Sequence, residues 1–486
     1  MSRYYLRVEA VNLAHFVYDT EKIQPLRGGS YLLLDAVHGL DGRDFGGVTL
    51  KKITTGASIG VLSFDIDEIG ARSADDIIES VVSGVRCHLA ERTGGHATFV
   101  VDAVNATDDF VRDIETLAAM NRWRQFQQPT LVLPAGEAQT QCDFDGVRPG
   151  TKSVAAAGES KTVSDSVSFR MKAGRELRST IYKRILKREL SVEFTDDLAD
   201  LSSDDSKGNL NNKIAVIYLD GNSFTKIRST VCTTSDALGK FSETVEGLRR
   251  VFLDNLVNKA AKERDFKTSS DKVRLEILLW GGDEIEIVVP AWKGWAVLRL
   301  FYDCMKNARF DSYELTHAGG IVFSNHKAPI LQLRKLAREL ADFAKESLSG
   351  NVGAFTHGSH DVTHYLVLES FDILGADMRD FVKRYYDAQY PGLILTPVVM
   401  DNVEKALKLM KTKGFPRNKV FEVVSLVKTA GNDAERQGVV SDVFDRALSE
   451  VDDAADIRCA INDVVGDNLY CWLLIADLWD YVGGES

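Results

Sequence analysis

Two stretches decide the fold: Ile214-Ala215-Val216-Ile217-Tyr218-Leu219-Asp220-Gly221-Asn222 and Leu278-Leu279-Trp280-Gly281-Gly282-Asp283-Glu284-Ile285. Each is an apolar run that ends in a carboxylate beside glycine. The first run has no polar interruption before Asp220, as for a strand buried on both faces. Working outward, Leu238, Phe241, Val245, Leu248, Phe252 and Leu256 recur at helical spacing. Residues 273–280 and 285–289 read as strands joined by Gly281-Gly282-Asp283-Glu284. A second helix carries Trp295, Leu298, Phe301, Tyr302 and Met305, and 317–323 reads as a fourth strand. A third helix is marked by Leu333, Leu336, Ala337, Leu340 and Phe343. The order is βαββαβα.

In such a unit the strands are expected in the order 4-1-3-2, with neighbours antiparallel. Strand one then ends where the hairpin between strands two and three turns. Asp220 and the pair Asp283-Glu284 are therefore expected side by side at one sheet edge. Like charges raise one another's pKa, and a bound Mg²⁺ (or Mn²⁺) relieves the conflict. Mg²⁺ favours a few carboxylates plus phosphate oxygens over an all-protein cage. Gly282 permits a tight turn, and Gly221 and Gly281 would leave room for close approach by a phosphate. Alone, a Gly-Gly-Asp-Glu turn is only a polar hairpin. Both carboxylate strands in one unit make the metal reading.

The first part of the chain repeats this order less clearly. It offers a strand at 4–8, a helix over 28–38 opened by Gly28-Gly29-Ser30, and a hairpin of 48–54 and 59–65. A helix through Ile77, Val81, Val85 and Leu89, a strand at 97–102 and a helix over 108–119 follow. The expected fold class is α+β, with two ferredoxin-like (βαββαβ) palm domains, the first degenerate, plus a C-terminal helical domain. The expected boundaries are 1–130, an irregular connector with a basic helix over 131–212, the second palm over 213–370, and helices over 371–486. The connector includes a short strand at 130–134 and a crowd of cations, Arg170, Lys172, Arg175, Arg178, Lys183, Arg184, Lys187 and Arg188. These read as a solvated helix face or, less simply, a phosphate-binding strip.

The chain has 486 residues, 44% hydrophobic and 27% charged, which suits a globular protein of two to four domains. Its net charge of −12 gives no general affinity for nucleic acid. No apolar run approaches the ~18 residues of a membrane helix, so no membrane partner is expected. The start carries no signal-peptide pattern, and a cytoplasmic location is expected. Six scattered cysteines include no Cys-x-x-Cys pair. Cys459 and Cys471 read as core thiols, His357-Gly358-Ser359-His360-Asp361 as a polar loop, and Trp292 and Trp295 as packing residues.

The second half resembles the palm domains of the nucleotidyl cyclase and polymerase superfamily that carry GGDEF or GGDD signatures. It is most similar to the second palm of the large polymerase-like subunit of type III CRISPR effector complexes. The residues that carry this are 214–222, Gly281-Gly282-Asp283-Glu284, and the helix ending Leu340-Ala341-Asp342-Phe343-Ala344-Lys345. Leu26-Arg27-Gly28-Gly29-Ser30 resembles the start of that subunit's first palm helix, and 99–103 its last palm strand. Cys142-Asp143-Phe144-Asp145-Gly146-Val147-Arg148-Pro149 looks like a worn-down zinc knuckle.

The resemblance implies an enzyme that joins NTPs, typically ATP, into cyclic or linear oligonucleotide signals in antiviral defence. Asp220, Asp283 and Glu284 would be catalytic, and with Gly221 would hold the metal. Asn222, Ser223, Gly281, Gly282 and Lys345 would bind nucleotide. Implied partners are nucleoside triphosphates, an RNA or protein activator, and a downstream effector that reads the product. Relatives usually show GGDD where this chain has Glu284. Ile285 replaces the phenylalanine of GGDEF, and guanine-reading residues are not evident in 226–230, which argues against a diguanylate cyclase. No HD nuclease domain precedes the first palm, so that nuclease activity is not implied. Thr55-Gly56-Ala57-Ser58 stands where the first palm would need Gly-Gly-Asp-Glu, so that half is expected to complete a pocket between the palms. The alternatives are a non-catalytic nucleotide- or RNA-sensing scaffold of a CRISPR-like complex and, more weakly, a templated polymerase.

Overall fold

The computed structural model describes residues 2–66, 73–128, 140–156, 158–350, 360–369 and 394–483. The short strand expected at 130–134, the part of the expected helical domain over 371–393 and His357 lie outside them.

The first sheet is built from β1 (Ser2–Val11), β2 (Lys51–Thr55), β3 (Ile59–Ile66) and β4 (Thr98–Asn105), in the order β2-β3-β1-β4. Three helices belong to it: α1 (Ile23–His38), α2 (Ala74–Arg92) and α3 (Phe110–Gln125). Ser73 caps α2 with a complete capping box, closed by Asp76. α1 starts at Ile23, ahead of the expected Gly-Gly-Ser opening, and Gly28, Gly29 and Ser30 are buried inside it. The reason is a helix crossing: a Cβ on Gly28 would fall 1.8 Å from the Arg170 carbonyl oxygen.

Arg170 belongs to α4 (Asp165–Glu176), which is followed by α5 (Arg178–Leu186) where one basic helix was expected. All the cations of this stretch except Arg175 make ion pairs within the protein. Arg170 meets Asp19, Arg178 meets Asp196, Arg184 meets Asp35, and Lys187 meets Glu246. Lys172, Lys183 and Arg188 meet Glu176, Glu189 and Asp254. The strip is therefore spent on holding the chain together. The sharpest tie is Arg27, whose Nε donates to buried Glu276 Oε1 at 2.6 Å, joining α1 to the second sheet.

The second sheet contains β5 (Lys213–Gly221), β6 (Glu276–Gly281), β7 (Glu284–Pro290), β8 (His317–Asn325) and β9 (Val362–Val367). The order β6-β7-β5-β8-β9 contains the expected arrangement of its first four strands, all antiparallel neighbours. β9, paired parallel to β8, is an addition that the sequence reading did not anticipate. Between these strands run α6 (Phe224–Val231), α7 (Ser235–Lys262), α8 (Ala291–Met305) and α9 (Ile330–Gly350). Trp295 is buried on α8, and Trp292 donates its indole N–H to the Asp265 carbonyl, so both are packing residues.

The C-terminal helices are α10 (Pro397–Thr412), α11 (Arg417–Thr429), α12 (Asp433–Leu448), α13 (Ala454–Val465) and α14 (Trp472–Asp477). Their apolar faces continue the core of the second sheet as one cluster, from Leu26 through Val216 and Phe301 to Val482. Cys459 is exposed, contrary to the core placement expected for it, whereas Cys471 is half-buried. Cys142 is a buried free thiol. Its turn is held by Asp145, which accepts from the backbone N–H groups of Val147 and Arg148 and from Ser164 Oγ. A carboxylate thus organises a turn that a zinc ion would organise in a knuckle. No helix among the described residues is long and apolar enough to cross a membrane.

Candidate active site

β5 and β7 run antiparallel, and their last paired residues at this edge are Leu219 and Ile285. The next residues along the two strands are Asp220 and Glu284, and Asp283 stands in the turn just before β7. Gly282 has φ +55°, a conformation that suits glycine and closes the turn. Asp283 carries the electrostatic mark of this crowding. Its carboxyl is pushed up to about 6, first by burial and then by the neighbouring Asp220 charge, with Glu284 adding less.

The alternation of the strands puts Tyr218, Asp220, Glu284 and Glu286 on one face of the sheet, and α9 covers that face. Arg334 Nη2 donates to Glu286 Oε2 at 2.7 Å, Arg338 lies 3.6 Å from Glu284, and Lys345 Nζ donates to Asp220 Oδ2. These helix positions, i, i+4 and i+11, fall on one stripe. Lys345, expected to bind nucleotide, is thus engaged by a carboxylate of the chain.

Glu284 departs from expectation. Its Oε1 accepts from the Tyr218 hydroxyl at 2.7 Å, and burial together with this carboxylate raises the Tyr218 hydroxyl pKa. Among the described residues no three acidic, histidine or cysteine side chains converge in a metal-ligating group. The expected three-acid cluster is not formed: the Asp220 charge acts on Asp283, and Glu284 is drawn off toward Tyr218. The two carboxylates of Asp220 and Asp283 suit a hard divalent cation, since both donors are oxygen.

A cavity of about 480 Å³ lies between the two sheets' hairpin turns. Gly56, Ala57 and Ser58 form one wall and Gly281, Gly282, Asp283 and Glu284 the opposite one. Arg7, Val61, Phe110, Ile114 and Arg228 complete it, residues that the sequence reading did not single out. The first hairpin thus helps to close a cavity without supplying a carboxylate. Gly281 was expected to make room for a phosphate, but Ala57 fills that room: a Cβ on Gly281 would fall 2.3 Å from the Ala57 Cβ. Gly221 likewise gives way to a protein group, the Phe224 ring, 2.5 Å from where its Cβ would be.

Asp220, Gly221, Asn222, Ser223 and Lys345 do not line this cavity. Asn222 is buried and donates to Thr316 Oγ1 at 3.2 Å and to the His360 carbonyl at 3.1 Å, which makes it a tether between loops. Ser223 takes φ 58° ahead of α6 and makes no side-chain capping bond. Below Gly221, its β8 partner His317 is fully enclosed, and burial pushes its pKa down to about 3. Asp361 accepts the His317 backbone N–H at 2.7 Å, and burial pushes its carboxyl up to about 7.

Arg249, on α7, is the main electrostatic feature that the sequence reading missed. It is buried, lies 5.5 Å from the Trp280 ring centre, and is close enough for the Asp283 charge to act on it. Burial lowers its pKa to about 10. In the sequence it is one of two adjacent arginines in a long amphipathic helix, where a solvent-facing role is the ordinary expectation.

No protein-family model and no curated protein sequence matches the chain. Solved structures do. Csm1 from T. onnurineus superposes with a TM-score of 0.55 at 12% identity, over 97% of this chain and 70% of that one. A Csm1-Csm4 cassette in complex with pppApA gives 0.52 at 12% identity, over 98% and 69%. The apo Csm1-Csm4 cassette gives 0.50 at 12% identity, over 98% and 70%. At this identity the likeness is one of fold: the chain has a mixed helix-and-sheet, Csm1-like fold.

Proposed function

We propose that the chain is a Mg²⁺- or Mn²⁺-dependent nucleotidyltransferase that joins nucleoside triphosphates, ATP foremost, into a linear or cyclic oligonucleotide signal in antiviral defence. It would act as the polymerase-like subunit of a CRISPR-type effector. The single observation behind this reading is the meeting of Asp220 and Asp283 at a sheet edge beside a cavity closed by both hairpins. The Csm1-like fold supports it, since a Csm1-Csm4 cassette has been solved in complex with pppApA. The two βαββαβ units would be ferredoxin-like palms over 1–130 and 213–370, the first without carboxylates. The connector over 131–212 and the helices over 371–486 would complete the subunit. Partners would be a Csm4-like subunit, an RNA or protein activator and an effector that reads the product.

In the reaction the 3′-oxygen of one nucleotide bonds the α-phosphorus of another. The bond from that phosphorus to the α,β-bridging oxygen breaks, pyrophosphate leaves with the electron pair, and the hydroxyl proton passes to solvent. Asp220 and Asp283 would hold the cation, with the Gly221 backbone beside them and Glu284 at the margin. The ion supplies charge neutralisation and activation of the hydroxyl. The chain's own contribution is positional. Lys345 places a positive charge beside Asp220. Val61, Phe110 and Ile114 offer an apolar wall for a nucleoside, and Arg7 and Arg228 offer cations to its phosphates.

The scaffold alternative drew its support from the basic stretch over 170–188. Ion pairs within the chain use those cations, so nothing there favours it. The deciding experiment is incubation of the purified protein with labelled ATP, GTP, CTP and UTP and Mg²⁺ or Mn²⁺, with mass analysis of products. Oligonucleotide that disappears in Asp283→Ala is the expected result. Nucleotide binding without product, with activator candidates present, would favour a sensor.

A further inference from the structure

A second, smaller cavity of about 80 Å³ lies behind the Gly282-Asp283 turn, on the side of α7. Thr55 of the first hairpin, Arg228 of α6, Arg249 of α7 and Asp283 contribute its polar wall. It adjoins the large cavity, because Thr54, Thr225, Arg228, Gly282 and Asp283 border both.

Two polar side chains of this wall have no hydrogen-bond partner: Thr55 at Oγ1, and Arg249 at Nε and Nη1. Thr55 is 8% exposed and Arg249 only 6%. No carboxylate among the described residues makes an ion pair with Arg249. The Trp280 ring centre lies 5.5 Å from its guanidinium carbon. Buried polar groups are nearly always paired, and a buried cation without a partner is among the costliest arrangements a fold can keep. The neighbouring arginines show the usual solution: Arg27 has Glu276, Arg170 has Asp19 and Arg334 has Glu286. Arg249, by contrast, faces a cavity with its Nε and Nη1 unpartnered.

The cavity's size limits what could supply the missing acceptors. The space is about one sixth of the adjoining cavity, so a phosphate-sized group suits it better than a nucleoside does. The unpartnered Nε and Nη1 each offer a charged donor to a phosphate oxygen, and the Thr55 hydroxyl beside them adds a third. We infer that this cavity is a phosphate subsite, in which Arg249 and Thr55 take one phosphate group of a polyphosphate whose nucleoside occupies the adjoining large cavity. This rests on the nucleotide reading above. It puts the phosphate recognition on α7, opposite the α9 face that carries Lys345. It also gives the first hairpin a chemical role through Thr55, although that hairpin has no carboxylate.

The test is calorimetric titration of ATP, AMP and pyrophosphate, each with Mg²⁺, into the full chain and into Arg249→Met, Arg249→Lys and Thr55→Val. The wild-type protein is expected to bind ATP more tightly than AMP. Arg249→Met should cut the ATP affinity by about tenfold or more, the scale of a charge-assisted hydrogen bond, and leave AMP binding as it was. Arg249→Lys should keep part of the ATP preference, and Thr55→Val should weaken it. Loss of pyrophosphate binding in Arg249→Met would identify released pyrophosphate as an occupant too; loss for ATP alone would restrict the subsite to the bound nucleotide. Thermal melting separates this from a structural role: Arg249→Met should melt at or above the wild-type temperature, because a buried unpaired charge has gone. Equal ATP-to-AMP preference in wild type and all three variants would overturn the subsite and leave the nucleotide reading standing. A wild-type protein that binds neither ATP nor pyrophosphate would overturn both.

Discussion

Lys345 Nζ donates to Asp220 Oδ2, joining residues 125 positions apart in the chain. The ammonium rests on one of the two carboxylates proposed to hold a cation, so cation and lysine compete for it until a triphosphate arrives to take the lysine. Lys345→Met should therefore bind Mn²⁺ more tightly than wild type when no nucleotide is present, by roughly fivefold for a partly exposed pair. The same variant should bind ATP more weakly and form less product. Electron paramagnetic resonance of free Mn²⁺ measures the first, and an unchanged or weaker Mn²⁺ affinity would count against the competition.

Gly281 and Ala57 bring the two hairpin turns into contact. Gly281→Ala places a methyl group 2.5 Å from the Ala57 backbone nitrogen as well as against its Cβ, so a rotamer change cannot absorb it. The turns must move apart, at a cost of about 1–3 kcal/mol. Product formation should fall more than stability, because the cavity wall opens while Asp220 and Asp283 stay intact. Urea unfolding and the nucleotide assay run side by side would show the split.

The tie between distant parts of the chain is assigned to buried ion pairs such as Arg27–Glu276, not to exposed ones such as Lys172–Glu176, and this has a measurable consequence. Arg27→Met leaves Glu276 buried with Arg178 3.9 Å away as its remaining cation. Removing one partner of a buried ion pair costs about 3–5 kcal/mol, a drop that equilibrium denaturation should register. Lys172→Ala, at an exposed pair with Glu176, should change stability by less than about 0.5 kcal/mol. Equal effects of the two substitutions would contradict the assignment.

Asp361 and His317 set the pH response of the region under Gly221. Burial holds the Asp361 carboxyl at about 7, well above its ordinary value, so the folded protein binds a proton there that the unfolded chain has lost. Stability from this group is complete below about pH 4 and is lost as pH rises through 7. Asp361→Asn keeps the oxygen that accepts the His317 N–H and cannot ionise. It should be more stable than wild type by about 2–4 kcal/mol at pH 8, with the difference vanishing below pH 4. His317, held neutral down to about 3, acts in the opposite direction. Its stability is present above about pH 6.5 and declines as pH falls below that. Thermal melts of both proteins across pH 4–8 give the curves to compare.

Much of the second sheet was legible because its strands are long apolar runs punctuated by Gly, Asp and Pro. β9 was not. Val362-Thr363-His364-Tyr365-Leu366-Val367 mixes polar and apolar residues, yet almost all of it is buried, because it lies beside β8 and under α9. The glycines misled in a consistent way. Gly28, Gly221 and Gly281 each mark a close approach, but what approaches is the Arg170 backbone, the Phe224 ring and Ala57, not a ligand. Spacing reveals that room exists and is silent on its occupant.

The sequence by itself determined that Asp220 and Asp283 would stand at one edge of the sheet. A βαββαβ order leaves few ways to arrange its strands, and each carboxylate ends a run whose burial sets its register. Tertiary structure alone decided what surrounds them: Lys345 on one side, Arg249 on the other, Ala57 against the turn, and Tyr218 holding Glu284 aside. Those neighbours depend on how helices rotate and how the two sheets dock. That is a matter of filling space among residues far apart in the chain, and local pattern carries no record of it.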